Sequence, residues 1–255
     1  PRFQPIELVK PFLIIFISVI LSSQKYTNIY IKYLFSFLIT LVVALLLTAQ
    51  PDIGQTLLVF FSWSILIFTS GISIIFLMIL FLSLVFVLSY LIFFVSKFAY
   101  IKNRFLSFFD KEGGTHNFQS DKAIDSIVSG GFFGKGIGEG TLKNRVPEAH
   151  TDYIISVISE EFGVIAIILI LLLFLILIYS IFKKVYSERE EKLKLILVGC
   201  VSLILMQAMI HIGVNIRLFP TTGMTLPFIS YGGSSIISIS ILSGIILNLT
   251  KRRVN

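Results

Sequence analysis

Long uncharged apolar runs alternate with short polar breaks along nearly the whole chain. A helix needs about 20 residues to cross the hydrocarbon of a bilayer. Residues 33–51 fit one crossing. Residues 53–96 carry no charge and are long enough for two, with a reversal expected at Ser70-Gly71-Ile72-Ser73. Residues 162–182 and 195–216 predict two more, the second holding His211 and Asn215 towards its end. Residues 218–250 include Pro220, Gly223 and Pro227, so a breaker-rich entry is expected to lead into a helix from about Phe228. The first run is the odd one, because only fourteen residues separate Lys10 from Lys25. That is roughly 21 Å of helix against a core of about 30 Å. Either this helix is short, or it starts near Ile6 and takes Glu7 and Lys10 into the membrane. Those two are spaced to pair on one helix face, and ionisable residues within a span are functional candidates.

The pattern therefore predicts an all-α polytopic membrane protein with about seven transmembrane helices. About four lie in residues 1–97, a large extracytoplasmic loop fills 98–151, and about three lie in 152–255 ahead of a short cytoplasmic tail. Basic residues in short loops set the orientation. Lys25 and Lys32, then Lys183, Lys184, Arg189, Lys192 and Lys194, then Lys251, Arg252 and Arg253 fall on one side, which is read as cytoplasmic. The opposite face collects Gln4, Glu7 and Lys10, then Gln50-Pro51-Asp52, the acidic end of the long loop, and the Pro/Gly stretch from Pro220 to Ser235.

Composition agrees: the chain is 56% hydrophobic and 14% charged, where a soluble domain carries about 25% charged residues. The net charge of +7 is dispersed between apolar runs, which argues against nucleic-acid binding. Cys200 stands alone in an apolar run, so no intrachain disulfide or Cys/His zinc spacing exists, and it reads as a small buried hydrophobe. The chain opens on Pro1 without the basic start of a signal peptide, so it is expected to begin inside a longer protein.

The polar residues on the outer face are the candidates for chemistry. In Pro147-Glu148-Ala149-His150-Thr151-Asp152, a helix beginning near Thr151 would place Asp152 in its first turn, where the helix dipole favours a carboxylate. Thr151 or Asp152 can equally be a simple N-cap. Ser156, Ser159 and Glu160 share the Asp152 face by spacing, while Glu161 points elsewhere. His150 reads as a base, a phosphate contact or a solvated loop residue. Ser129 to Thr141 is glycine-rich, but Gly134-Lys135-Gly136 lacks the Gly-Lys-Ser/Thr of a nucleotide P-loop. It is expected to be a mobile outer loop able to close over a lipid-linked substrate, or a plain connector. Lys135, Lys143 and Arg145 are available to phosphates there. Phe219 to Ser235 interrupts a span, and broken backbone at membrane depth belongs where it lines a wet cavity or is buried in protein.

These segments together resemble the SEDS family (shape, elongation, division and sporulation). The matching residues are Gln4-Pro5-Ile6-Glu7-Leu8-Val9-Lys10, Gln50-Pro51-Asp52-Ile53-Gly54 and Ser129-Gly130-Gly131-Phe132-Phe133-Gly134-Lys135-Gly136. Pro147 to Ile154 with Glu160-Glu161, and Pro220-Thr221-Thr222-Gly223 through Leu226 to Ser235, complete the set in family order. Glu139-Gly140-Thr141 and Thr225 to Tyr231 look more like the division-type branch than the elongation type. Ile6 departs from the family, which usually has Ser there.

The resemblance implies a ten-helix fold, of which about three N-terminal spans would precede this chain. It implies a peptidoglycan glycosyltransferase of the inner membrane, at the division septum, that polymerises lipid II. Implied partners are a cognate class B penicillin-binding protein, other divisome proteins and membrane lipids. The family's essential loop aspartate falls on Asp152, and its Glu and Lys fall on Glu7 and Lys10. Asp152 is then the catalytic base. Glu7, Lys10, His150, Lys143, Arg145, Arg217, Glu160, Ser230 and Ser234 are the substrate-binding candidates. No dedicated cofactor is implied, although a divalent cation (Mg or Mn) could accompany the pyrophosphate. A lipid II flippase, or the elongation-type polymerase, is the competing reading.

Overall fold

The computed structural model describes residues 4–24, 28–94, 99–109 and 114–251. Among these, the chain is helical with no strand: α1 (Pro5–Ser22), α2 (Ile29–Ala49), α3 (Ile53–Thr69), α4 (Ile74–Phe94), α5 (Ala99–Phe109), α6 (Gly114–Gly130), α7 (Ile154–Ser187), α8 (Glu191–Asn215) and α9 (Gly233–Thr250). Five of them, α1, α2, α7, α8 and α9, are long and apolar enough to cross a membrane; α3 and the stretch Ile74–Ser83 of α4 are apolar but shorter. Lys25, Lys97, Arg252 and Arg253, used above for orientation and boundaries, lie outside the described residues.

The chain divides into two compact units. The first comprises Pro1–Ile72, Leu172–Ala208 and Gly232–Asn255. There α1 packs on α2, α3 and α9, around fully buried Ile17, Leu58, Leu66, Leu197 and Ile204. Gly199 of α8 allows close approach, because a β-carbon there would run into the Ile14 methyl and lie 3.1 Å from Leu66 Cδ2. Helix α1 begins at Pro5, which suits a first helical position because its missing N–H would be unpaired anyway. Of the two sequence expectations for the first span, the structure takes the second, with Glu7 and Lys10 inside the helix. Pro11 also lies within α1 and cannot donate to the carbonyl of Glu7 four residues back. Asp52 caps α3 by accepting the Gln55 N–H at 3.0 Å, and the reversal between α3 and α4 falls at residues 70–73 as expected.

The second unit comprises Ser73–Leu171 and Met209–Tyr231. The stretch expected to be one long loop holds α5, α6 and a 3-10 turn at Leu142–Arg145. Helix α7 is broken at Gly163, whose φ of 76° and ψ of −178° are non-helical. The glycine-rich segment after α6 fills that break. Lys135 and Gly136 donate their N–H groups to the carbonyls of Glu160 and Glu161, at 2.9 and 3.0 Å. Val164 and Ile165 donate to the carbonyls of Gly131 and Phe132, at 3.0 and 3.4 Å. A β-carbon at Gly130, Gly134 or Gly163 would collide with backbone across this contact. The glycines are there for close main-chain approach, and the segment expected to be mobile is tied down at both ends.

Candidate active site

Asp152 does not lie in the first turn of α7 as the sequence suggested. It occupies a turn two residues before Ile154, just outside the helix. Three successive amides, of Thr151, Asp152 and Tyr153, donate to the carbonyl of Glu148 at 3.1, 3.1 and 3.3 Å. Glu148 holds φ at 53° to close this turn, a left-handed conformation that costs a non-glycine residue of order 1–3 kcal/mol. Asn215, at the end of α8, donates through Nδ2 to the Asp152 carbonyl at 3.0 Å. Ser230 donates its hydroxyl to the Thr151 carbonyl at 2.7 Å and accepts the Leu226 N–H at 2.8 Å. The backbone on both sides of Asp152 is therefore fixed from two other segments.

The carboxylate itself is only partly exposed. Gly223, at φ 66°, lies beside it: a β-carbon there would be 3.5 Å from Asp152 Oδ2. The neighbouring carbonyl, of Met224, is 2.7 Å from His211 Nδ1. Buried His211 thus donates from Nδ1, which leaves Nε2 to face Asn215 Nδ2 at 3.3 Å. Burial pushes the Asp152 carboxyl up to about 6 from its ordinary 3.8; the Glu148 charge adds to the rise, and a side-chain hydrogen bond with Thr151 opposes it. A carboxylate poised near neutrality and fixed at its main chain is suited to accept a proton. Thr222 Oγ1 and Asn215 Oδ1 are buried and find no hydrogen-bond partner within the described protein.

The other candidates sort by position. His150 is exposed and its ring lies 6.4 Å from that of Tyr231, whose N–H donates to the His150 carbonyl at 3.0 Å. Arg145 is exposed at the end of the 3-10 turn, and the side chain of Lys143 lies outside the described residues. Arg217 commits its guanidinium to Asp121 of α6 at 2.6 Å. Glu160 is fully buried and is engaged by the protein itself. It accepts from Ser126 Oγ at 2.9 Å, from the Leu142 N–H at 2.9 Å and from Lys135 Nζ at 3.3 Å. It shares the Asp152 side of α7 in sequence, yet its carboxylate holds the glycine-rich segment. Ser230 likewise acts on the backbone. Ser234 sits in the first turn of α9, which starts at Gly233 and not near Phe228, because Phe228 at φ 68° is part of the preceding turn.

Glu7 and Lys10 belong to the first unit, where they form a buried cluster. Lys10 Nζ lies 2.9 Å from both Glu7 carboxylate oxygens and 3.4 Å from Gln207 Oε1. Gln55 Nε2 donates to Glu7 Oε1 at 2.8 Å, and Gln207 Nε2 to Ser235 Oγ at 3.3 Å. Glu7 and Lys10 are 2% and 1% exposed, so each buried charge is compensated chiefly by the other. The two glutamines escaped the sequence reading because amides inside apolar runs give no periodic signal; their spacing from Glu7 and Lys10 becomes meaningful only once the helices pack. Asn215 and His211 were legible as polar residues in a span, but not as the support of Asp152. Among the described residues no three His, Cys, Asp or Glu side chains gather as a metal site.

A family model described as cell cycle protein, covering FtsW, RodA and SpoVE, matches residues 2–255. A probable peptidoglycan glycosyltransferase FtsW of Caulobacter vibrioides is 34% identical over 98% of this chain and 63% of its own length. The protein of the same description from Enterococcus hirae is 32% identical over 99% of this chain and 66% of its own. The chain thus spans just under two thirds of these relatives. Among solved structures, a peptidoglycan synthase complex that coordinates polymerization and crosslinking superposes with a TM-score of 0.77 at 25% identity, covering 100% of this chain and 72% of that one. The rod shape determining protein RodA of Thermus thermophilus does so with a TM-score of 0.67 at 26% identity, covering 100% and 68%. With a family match over all but its first residue and this helical architecture, the chain belongs to the FtsW/RodA/SpoVE cell cycle proteins, which are multi-pass membrane proteins.

Proposed function

We propose that the protein of which this chain is part is a division-type peptidoglycan glycosyltransferase, polymerising lipid II on the face of the membrane where Asp152 lies. The observation that carries the reading is the Asp152 carboxylate, raised towards neutrality by burial and fixed through its own main chain by Asn215. The names of the FtsW relatives support the choice of reaction. Asp152 takes the proton of the acceptor hydroxyl as that oxygen attacks the donor sugar. The bond from the sugar to the lipid pyrophosphate breaks, and the pyrophosphate departs without needing a proton. By analogy with inverting sugar chemistry, one base on the face opposite the leaving group suffices.

Positive charge near the leaving group would stabilise it. Arg145 and Lys143 sit on the segment leading to Asp152 and are assigned that role. Arg217 is assigned instead to holding α6 through Asp121. Glu7 and Lys10 are assigned to shaping the first unit through the Gln55 and Gln207 network. The protein works with a class B penicillin-binding protein at the division septum.

The test is glycan-chain formation from purified lipid II by the full-length protein, wild type against Asp152→Ala, with and without the transpeptidase partner. Long chains from wild type and none from the folded variant are expected. Full product from Asp152→Ala would refute the assignment. A wild-type protein that moves lipid II across vesicles but makes no chains would replace the reading with transport.

A further inference from the structure

The tip of the glycine-rich segment is apolar and exposed: Phe132, Phe133 and Ile137 are 74%, 83% and 78% accessible. Such a cluster is unusual on a surface facing water. Its position along α7 is fixed by the hydrogen bonds from Val164 and Ile165 to the carbonyls of Gly131 and Phe132. Those two amides lie two and three residues into the charge-free run that begins at Phe162, about 3–5 Å along the helix. Phe162 and Ile165 are themselves exposed on α7, so the tip continues an apolar face of a membrane span.

Non-helical backbone reaches such a depth only when its polar groups are satisfied. Here they are. The amides of Gly134, Lys135 and Gly136 donate to the carbonyls of Gly130, Glu160 and Glu161. The Gly138 amide reaches Glu161 Oε1 at 3.3 Å. The one cation of the tip, Lys135, lies 3.3 Å from the buried Glu160 carboxylate, which offsets the cost of bringing its charge to an apolar boundary. Carboxylate, backbone and side chains agree on the same environment.

We propose that Phe132, Phe133 and Ile137 insert into the bilayer at the hydrocarbon boundary of the leaflet on the Asp152 side, lipid being the occupant of this apolar surface. The segment expected from the sequence to be a mobile extracytoplasmic loop is then a fixed re-entrant anchor. It ties the chain between α6 and α7 to the surface on which a lipid-linked substrate would travel.

The test uses a nitroxide label at Phe133→Cys in full-length protein carrying no other reactive cysteine. Cys200 is fully buried. The protein is reconstituted in phosphatidylethanolamine–phosphatidylglycerol vesicles, and relaxation by oxygen is compared with relaxation by a water-soluble nickel chelate. Labels at Phe162→Cys and Glu139→Cys give the lipid and water references. Oxygen-dominated relaxation at position 133, close to that at 162 and several-fold above the oxygen-to-nickel ratio at 139, is expected. Nickel access equal to position 139 would overturn the proposal in favour of a solvated loop. Shielding from both reagents would overturn it in favour of protein cover. Ile137→Cys is read in the same way and decides the question if the Phe133 variant does not fold.

Discussion

Asp152→Asn separates catalysis from stability in a way that the wild-type geometry dictates. The folded protein raises the Asp152 carboxyl from 3.8 to about 6, so at neutral pH it holds an ionised group in surroundings that disfavour the ion. A difference of about 2.2 units at about 1.4 kcal/mol each amounts to about 3 kcal/mol. The sign follows from proton linkage. Between about pH 4 and pH 6 the folded state binds the proton and the unfolded state has released it, so stability falls as pH rises through this window. Below it the group imposes no penalty; above it the full penalty is present.

Asparagine removes the charge and keeps the shape. At pH 8 the variant should therefore be more stable than wild type by up to about 3 kcal/mol, and at pH 4.5 by only about 1 kcal/mol. The assay is thermal unfolding of the full-length protein in detergent at both pH values, beside glycan-chain formation at pH 8. The expected pair of results is a gain of several degrees at pH 8 and no polymer. Loss of stability at pH 8 would show that the carboxylate is a structural partner, and would refute the idea that the site holds a costly base. An equal shift at both pH values would refute the link to ionisation.

Polymerisation by wild type should fall about tenfold per pH unit below about pH 6, the value to which Asp152 is raised; an acidic limb centred near 4 would mean that the base is not the buried one. Asn215→Ala removes the donor to the Asp152 carbonyl, a hydrogen bond worth about 1–3 kcal/mol when its partner is left buried. It should lower kcat by about 5- to 100-fold with KM nearly unchanged and displace the acidic limb, which a purely structural lesion would not do. Glu160→Ala strands Ser126, Lys135 and the Leu142 amide and should cost about 3–5 kcal/mol in thermal unfolding, with Glu160→Gln recovering part of it. Gly163→Ala places a methyl against the Phe132 carbonyl at φ 76°. It should destabilise by at least about 2 kcal/mol, read as a lowered Tm.

Why did the spans come out of the sequence while the site came out only in part? A span is a one-dimensional property: hydrocarbon thickness fixes its length and excludes charge, so α2, α7 and α8 can be counted from apolar runs alone. The Glu7–Lys10 pair was also legible, since its spacing is a property of one helix. The support of Asp152 is different in kind. Asn215 lies 63 positions away in sequence and Ser230 lies 79 positions from Thr151. Neither distance carries any periodic signal. The glycine-rich segment shows the same limit from the other side. Its glycines suggested freedom, because glycine admits many conformations when nothing packs on it. What the structure requires of Gly130, Gly134 and Gly163 is the absence of a side chain where two backbones meet, and a sequence shows the same letter for both. The break in α7 and the segment that fills it are therefore one feature. The helix gives up its regular bonding at Gly163, and the segment takes up the exposed carbonyls of Glu160 and Glu161. In return the segment is held at the edge of the apolar run, on the same helix whose first residues follow Asp152. The charged cluster at the start of α7 is thus divided by position, with Asp152 left partly exposed and Glu160 turned inward to hold the loop.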